Sequence, residues 1–246
     1  MGTHKLKGMM TIPKKFIIED SVWRILPDLQ VATVVGHSHE SLNQSGSIPE
    51  ALLEQANQKA VQWVKADPIS ANPIIKDWRD VFHKFKTKRG ARSSVESLLK
   101  RAKQGKGVGN INNLVDIYNS VSLEKAFPIG GLDLERLQGD LTLRVSAGAE
   151  KFFPIGEQDA EMTLPQEIIY SDQKAVVTRC LNWRDSARYG VNASTKEVLF
   201  LIENANPERD ADYQQAISLL QKRLQDYLQL STTVQVLDQE HPQVEL

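Results

Sequence analysis

The alternation of apolar and polar residues predicts short strands along most of the chain. Two strand-like segments, residues 15–19 and 30–36, stand near the N-terminus, and residues 232–237 form another near the C-terminus. Between them, turns rich in Gly, Pro, Asp and Ser separate four further strand candidates, residues 141–145, 167–170, 175–180 and 197–202.

Helical spacing of apolar residues predicts three helices before residue 107. The first opens at Ser47, with Glu50 three residues later as a capping signal, and Pro68 ends it. The second begins after Asn72-Pro73, and the third covers residues 94 to about 103. The sequence Lys-Thr-Lys-Arg-Gly-Ala-Arg-Ser-Ser lies between the last two helices and is predicted to be a loop.

Two more helices are predicted after residue 106. Residues 111–122 are apolar over most of the helix circumference, which indicates burial. A long amphipathic helix follows Asn206-Pro207. Helices and strands do not alternate regularly, so we predict an α+β fold with mixed, mainly antiparallel sheets in a sandwich-like core flanked by helices. We expect one domain over residues 1–246: N-terminal strands and a basic helical region to 106, a core with a pocket from 107 to 240, and a tail from 241.

Charge is unevenly distributed, although the formal net charge is only −1. Residues 76–106 contain eleven Lys and Arg against three acids, whereas residues 203–246 contain three basic and eight acidic residues. The basic segment is consistent with a solvated helix face and equally with a surface that binds a polyanion. On the second interpretation its loop residues are the candidates for RNA contact: Lys86, Lys88, Arg89 and Arg92.

Several classes of function lack their sequence signals. The chain has one cysteine, no apolar segment of membrane-spanning length and no secretory signal pattern, which favours a cytoplasmic protein. It contains no phosphate-binding loop, dinucleotide fingerprint or zinc-protease motif. The pair His37 and His39 has no evident third ligand, so we predict neither a metal nor a cofactor.

Polar residues at two places are candidates for a site. Asn112, Asp116 and Asn119 form one stripe on the predicted buried helix, where they either tie down neighbouring loops or line a pocket. The segment Cys-Leu-Asn-Trp-Arg-Asp-Ser, residues 180–186, follows a strand and gathers an amide, an indole and a guanidinium. The Gly130-Gly131 turn offers backbone N–H groups, although turns favour glycine in any case.

Five segments in this order resemble a known family: GVGNINNLVDIYNSVSLEKAFPIGGLDLERLQGD, AGAEKFFPIGE, LPQEIIYSD, VVTRCLNWRDS and VLFLIEN. They are similar to the stand-alone relatives of the editing and tRNA-binding domain pair, the third and fourth domains, of the bacterial phenylalanyl-tRNA synthetase β subunit. In that family the domain hydrolyses tyrosine wrongly attached to the phenylalanine tRNA, and an acid reads the tyrosine hydroxyl. Glu203 matches that acid by its position.

Two departures from the family argue against carrying tyrosine specificity over. Gly130 stands where the synthetase has a histidine, and the bulky, charged residues 179–186 replace a small glycine-rich segment. The resemblance implies a substrate site formed by Glu203, Arg184, Asn182, Arg179, Gly130, Gly131 and Asn119. We expect Glu203 and Arg184 to face one pocket, with no catalytic residue assigned.

Two functions of different class follow from the resemblance. One is a free-standing aminoacyl-tRNA deacylase that hydrolyses a mischarged tRNA and contacts its acceptor end. The other is a non-catalytic module that binds tRNA or an amino-acid-like ligand. Neither interpretation calls for a cofactor.

Overall fold

Two main sheets form the framework of the protein. The computed structural model describes residues 13–42, 48–49 and 51–246. The larger sheet contains β1 (Lys15–Ile18), β4 (Leu141–Val145), β7 (Ile168–Ser171), β8 (Val176–Arg179), β9 (Arg184–Asp185) and β12 (Gln243–Glu245). Its strand order is β12-β1-β4-β7-β8-β9, in which only the β1–β4 pair is parallel.

The second sheet is fully antiparallel. It contains β2 (Gln30–His37), β3 (Ile129–Asp133), β10 (Glu197–Asn204) and β11 (Thr232–Leu237), in the order β11-β2-β10-β3. Strand β10 is buried on both faces: Leu199 and Leu201 join the apolar cluster shared with the larger sheet, whereas Val198 and Phe200 join the cluster beneath two helices. Glu203 continues the first of these faces because side chains alternate along a strand.

Six α-helices are described: α1 (Asp20–Trp23), α2 (Ala51–Ala60), α3 (Pro73–His83), α4 (Ser94–Lys103), α5 (Asn113–Lys125) and α6 (Asp210–Leu228). Helices α5 and α6 cover the outer face of the four-stranded sheet with one apolar cluster. Apolar residues of α3 and α4 join the cluster between the sheets. A short ribbon, β5 (Lys151–Phe152) and β6 (Glu161–Met162), packs on the outer face of the larger sheet through Phe152.

The α+β fold with mainly antiparallel sheets flanked by helices is confirmed. Helix α4 and strands β4 and β11 have the predicted bounds. The predicted capping residues Ser47 and Glu50 lie outside the described residues. Two predictions differ from the structure. The predicted turn at the glycine pair is the start of β3, and residues 241–246, predicted to be a tail, contribute β12, which pairs with β1.

The polar stripe of α5 holds the loop in front of the helix. Asn112 caps α5 by accepting a hydrogen bond of 3.0 Å from the Val115 N–H. Asp116 is buried, and its carboxylate accepts from the Ile111 N–H at 2.8 Å and from Asn110 Nδ2 at 3.0 Å. The interpretation of Asp116 as a residue that ties down a neighbouring loop is therefore confirmed. None of the described helices is long and apolar enough to cross a membrane.

Candidate functional site

A cavity of about 60 Å³ lies between the two sheets. The larger sheet lines it with β7, β8 and β9, and the smaller sheet lines it with β3 and β10. The first residue of α4 and the turn after β8 complete its wall. Six polar side chains line the cavity: Ser94, Tyr170, Thr178, Asn182, Asp185 and Glu203.

The buried carboxyl of Glu203 lies at the centre of this polar group. Its exposed fraction is 3%. The Tyr170 phenol donates a hydrogen bond of 2.6 Å to Glu203 Oε1, and Asn182 Nδ2 donates to Glu203 Oε2. Burial raises the pKa of Glu203 to about 7, because the two hydrogen bonds offset the desolvation of the charge only in part and the Asp185 charge adds to the rise. Both protonation states of Glu203 are consequently populated at neutral pH.

Acceptor atoms dominate the rest of the cavity. Asn182 Oδ1 is buried and has no hydrogen-bond partner. Burial also raises the pKa of Asp185, although Thr178 Oγ1 donates a hydrogen bond of 2.8 Å to its carboxylate. The lining residues include no Lys, Arg or His. An unpartnered buried acceptor is unfavourable, so this cavity is complementary to a ligand that brings hydrogen-bond donors.

The turn after β8 determines which side chains reach the cavity. Cys180 and Leu181 have φ values of 47° and 60°, the left-handed region that non-glycine residues rarely adopt. Two such residues in succession reverse the chain, so that β9 returns beside β8 with Arg184 opposite Arg179. Each unfavourable conformation costs about 1–3 kcal/mol, and such residues concentrate at functional sites.

Arg184 lies outside the cavity. It forms an ion pair of 2.7 Å with Glu157, and both side chains are partly exposed. The expectation that Arg184 and Glu203 face one pocket is therefore wrong. The resemblance places Arg184 in the site. In the structure, the turn at residues 180–183 leads into β9 so that Asp185, and not Arg184, lines the cavity.

Arg179 belongs to a buried ionic cluster on the other side of β8. Its guanidinium donates two hydrogen bonds of 2.9 Å to the fully buried Glu167 and one of 2.6 Å to Glu161. Cys180 Sγ donates to the same Glu167 carboxylate at 2.9 Å. Arg179 therefore pairs with buried carboxylates. It does not line the cavity.

Of the remaining predicted site residues, one lines the cavity and two do not. Gly130 lines the cavity, and a Cβ at this position would meet no atom within 4 Å. Gly131 faces the helix side, where a Cβ would lie 2.9 Å from the Tyr118 ring. Asn119 is buried on α5 and does not line the cavity. The structure thus brings together Glu203, Asn182 and Gly130.

Sequence reasoning missed four polar lining residues: Ser94, Tyr170, Thr178 and Asp185. Tyr170 carried a usable signal. It ends the predicted strand 167–170, and a tyrosine hydroxyl buried in a sheet needs a hydrogen-bond partner, although the sequence does not show that this partner is Glu203.

The loop between α3 and α4 packs against the β5–β6 ribbon. Lys88 pairs with Glu161 and lies 5.9 Å from the centre of the Trp183 ring, so its charge is largely committed within the protein. Arg92 lies 3.9 Å from the buried Glu96. Lys86 and Arg89 are exposed and have no carboxylate partner among the described residues.

No group of three or more His, Cys, Asp and Glu side chains is arranged to hold a metal ion within the part of the chain that the structure describes. The acidic residues at the cavity are engaged with hydrogen-bond donors of the protein.

Comparisons with known proteins identify similar chains. The phenylalanine–tRNA ligase β subunit of Photorhabdus laumondii is 30% identical over 93 residues, which is 38% of this chain and 11% of that subunit. The subunit of Fusobacterium nucleatum is 32% identical over 78 residues, 32% of this chain and 10% of the relative. The matched part of this chain thus spans about a tenth of the length of these relatives.

A crystal structure of an N-terminal fragment of the Pyrococcus horikoshii phenylalanyl-tRNA synthetase β subunit is also similar. It aligns with 88% of this chain and 49% of that chain, at a TM-score of 0.44 and 14% identity. The model of the B3/4 domain matches residues 77–238, more than half of the chain. This segment contains every residue that lines the cavity, and the chain belongs to the B3/4 domain family.

Proposed function

We propose that this chain is an aminoacyl-tRNA deacylase that hydrolyses a mischarged tRNA, with the amino-acid side chain in the cavity between the sheets. The observation that carries the proposal is the buried Glu203 carboxyl, which lies in a cavity lined by acceptors. Similarity to phenylalanine–tRNA ligase β subunits supports a tRNA substrate. We place the reaction in the cytoplasm, where aminoacyl-tRNA is used.

The cavity favours a small side chain that carries a hydrogen-bond donor. Its volume of about 60 Å³ suits a hydroxymethyl or hydroxyethyl group better than an aromatic ring. The phenol of Tyr170 already lies against Glu203, so the chain itself fills the position of a larger aromatic ligand. A substrate hydroxyl can donate to Asn182 Oδ1, which an apolar side chain would leave unpaired, or to a remaining lone pair of Glu203 or Asp185.

Hydrolysis of this ester places limited demands on the protein. An aminoacyl ester is already activated, so the reaction needs a positioned water and a donor for the negative charge that develops on the carbonyl oxygen. Ser94 offers a hydroxyl at the N-terminal end of α4, where the helix dipole is positive. In its ionised form Glu203 can accept a proton from a water or hydrogen-bond a substrate donor.

The exposed basic residues between α3 and α4 supply a surface for the tRNA chain in this proposal. Lys86 and Arg89 carry unpaired charge, and Lys88 and Arg92 add to the local field although each has an acidic neighbour. Because phosphate contacts dominate the affinity of RNA complexes, this surface positions the acceptor end and the cavity reads the amino acid.

The deciding experiment compares matched pairs of charged tRNAs. Seryl-tRNA is compared with alanyl-tRNA, and threonyl-tRNA with valyl-tRNA. The hydroxyl replaces a hydrogen in the first pair and a methyl of similar size in the second. We expect faster hydrolysis of the hydroxylated member, by about tenfold or more. Glu203→Gln should abolish the preference, and Glu197→Gln, the same change at the exposed end of β10, should retain it. Absence of hydrolysis for every substrate in a full panel would refute the deacylase.

One observation favours a second function, a non-catalytic module that binds a small amino-acid-like ligand or tRNA. Glu203 has two protein donors and is therefore already satisfied without a substrate. For this function, titration calorimetry with free serine and threonine and with uncharged tRNA should show binding, while no charged tRNA is hydrolysed.

A further inference from the structure

A second concave surface lies on the opposite face of the larger sheet. This cleft has a volume of about 450 Å³ and is lined by β4, the start of the ribbon, the β7–β8 hairpin and the segment after β9. The larger sheet separates this cleft from the cavity. A bulge at Val177 reverses the side-chain direction along β8, so Val176 lines the cleft and Thr178 lines the cavity.

The residues that line the cleft carry a net positive charge. Four basic residues, Arg144, Lys151, Lys174 and Arg188, line it together with two acids, Glu150 and Asp172. Both acids are satisfied by the protein. Arg144 forms a two-point ion pair with Glu150 at 2.5 Å and 3.1 Å, and Asp172 accepts from the Tyr189 hydroxyl and from backbone N–H groups.

Three of the cations therefore have no acidic partner. Among the described residues, no carboxylate pairs with Lys151, Lys174 or Arg188, although Arg188 lies 5.6 Å from the centre of the Tyr189 ring. They come from three different elements around the cleft, so the positive field is not the solvated face of one helix. Such a set is complementary to several negative charges spaced along a chain.

An exposed aromatic ring stands at the same cleft. Phe153 lines it and is 49% exposed. Bases of single-stranded RNA stack on aromatic side chains next to positively charged grooves, whatever the base. A peptide partner would use the apolar ring as well, but it would need regularly spaced acidic side chains to meet three cations.

We propose that this cleft binds a single-stranded segment of RNA, with phosphates on Lys151, Lys174 and Arg188 and one unpaired base on Phe153. The inference rests on the proposed function for the choice of a tRNA, whose 3′ end is single-stranded. Asp185 lines the cavity and its neighbour Ser186 lines the cleft, so the two surfaces lie on opposite faces of β9, beside the segment around Pro154 that bridges to Ser186. In this proposal an RNA end that enters the cavity reaches the cleft by passing β9 and this segment.

The test separates phosphate contacts from base stacking. The variant Lys151→Glu/Lys174→Glu/Arg188→Glu is compared with Arg24→Glu/Lys65→Glu/Lys196→Glu, which makes the same charge change at exposed positions elsewhere. Binding of fluorescent tRNA is measured over a salt series. We expect the cleft variant to flatten the log–log salt slope by about 2, from about 0.7 for each single-stranded phosphate contact, and the control variant to keep the parent slope.

Phe153 is tested with Phe153→Ala and Phe153→Tyr. The alanine variant should weaken binding of complete tRNA by about fivefold to a hundredfold, and the tyrosine variant should bind like the parent. On tRNA without its single-stranded 3′ end, Phe153→Ala should have no effect. Equal slopes for the cleft and control variants would overturn the proposal, as would polyglutamate that competes as well as RNA of equal charge.

The deacylase proposal and the cleft proposal can be refuted independently. Hydrolysis of an aminoacyl adenosine, which has no phosphate chain, tests the cavity alone. If this hydrolysis persists and the cleft variant binds tRNA normally, the cleft assignment is wrong and the deacylase stands. If no ester is hydrolysed but the cleft variant loses RNA binding, the cleft assignment stands without the deacylase.

Discussion

Tyr170 donates its phenolic hydrogen to Glu203 Oε1 at 2.6 Å, which links the two sheets through a buried phenol and a buried carboxyl. The two residues lie on β7 and β10, so the bond crosses the interface between the sheets. This contact makes the protonation of Glu203 depend on how the two sheets pack.

Glu203→Gln should change how stability depends on pH. The folded-state pKa of about 7 exceeds the ordinary value of 4.5, so the folded protein holds this proton more tightly than the unfolded chain. The resulting stabilisation is fully present below about pH 4.5 and is lost as the pH rises through about 7. We expect the parent to lose up to about 3 kcal/mol of unfolding free energy over this window.

In Glu203→Gln that loss should disappear. The variant should be at least as stable as the parent at about pH 8, where the parent carries a buried charge. Denaturant titrations at about pH 5 and about pH 8 measure both quantities. Glu197→Gln, at a partly exposed position of the same strand, should keep the parent behaviour. A Glu203→Gln protein with the parental pH slope would show that Glu203 does not titrate in this window.

Tyr170→Phe should raise the pKa of Glu203 further. The Tyr170 hydrogen bond lowers that pKa, so its removal leaves burial less opposed. The carboxyl titration, followed by carbon NMR, should move above pH 7, and the variant should lose about 1–3 kcal/mol where Glu203 is ionised.

The matched control is Tyr213→Phe, which removes another buried phenol, one that donates to the Ile202 carbonyl at 2.9 Å. It should leave the Glu203 titration in place. The same displacement in both variants would mean that packing, rather than the Tyr170 hydrogen bond, controls the carboxyl.

Arg179→Gln should destabilise the fold much more than Arg184→Gln. Arg179 is the partner of the fully buried Glu167, so its loss leaves a buried charge unpaired and should cost about 3–5 kcal/mol. Arg184 forms a partly exposed pair with Glu157, whose loss should cost less than about 1 kcal/mol. Thermal or urea unfolding compares them, and equal losses would contradict these assignments.

Lys86→Glu/Arg89→Glu should weaken tRNA binding and flatten its salt dependence. These exposed residues have no carboxylate partner among the described residues, so the change removes attraction without breaking an internal ion pair. Lys88 is left unchanged because it pairs with Glu161. The same two-charge reversal at Lys65 and Lys196 is the control, and equal tRNA affinity of the two variants would exclude the α3–α4 loop as a contact surface.

Sequence patterns predicted the fold well where periodicity was uninterrupted. Helix α4 and strands β4 and β11 have their predicted bounds because local apolar spacing and tertiary burial agree there. The site was less predictable, because it depends on the turn at Cys180 and Leu181. Neither residue type favours a positive φ, so nothing local indicated that the strand ends at Arg179.

That turn also explains the exchange of Arg184 for Asp185 at the cavity. Side chains on a strand alternate between the two faces of the sheet, so a turn within the segment changes which face each later side chain occupies. The resemblance placed Glu203 and Asn182 in one site. Their direct hydrogen bond, and the phenol of Tyr170 beside it, required the register between two sheets that no local pattern encodes.

The pairing of β12 with β1 determines where attachments are tolerated. The Leu246 N–H donates to the Lys14 carbonyl at 2.8 Å, so both of these residues lie at one edge of the larger sheet. The edge strand β9, beside the cavity, is five strand spacings away, or about 24 Å. A fluorophore, affinity tag or surface tether fixed at Leu246 would therefore report on the protein or immobilise it at a distance from β9 and the cavity.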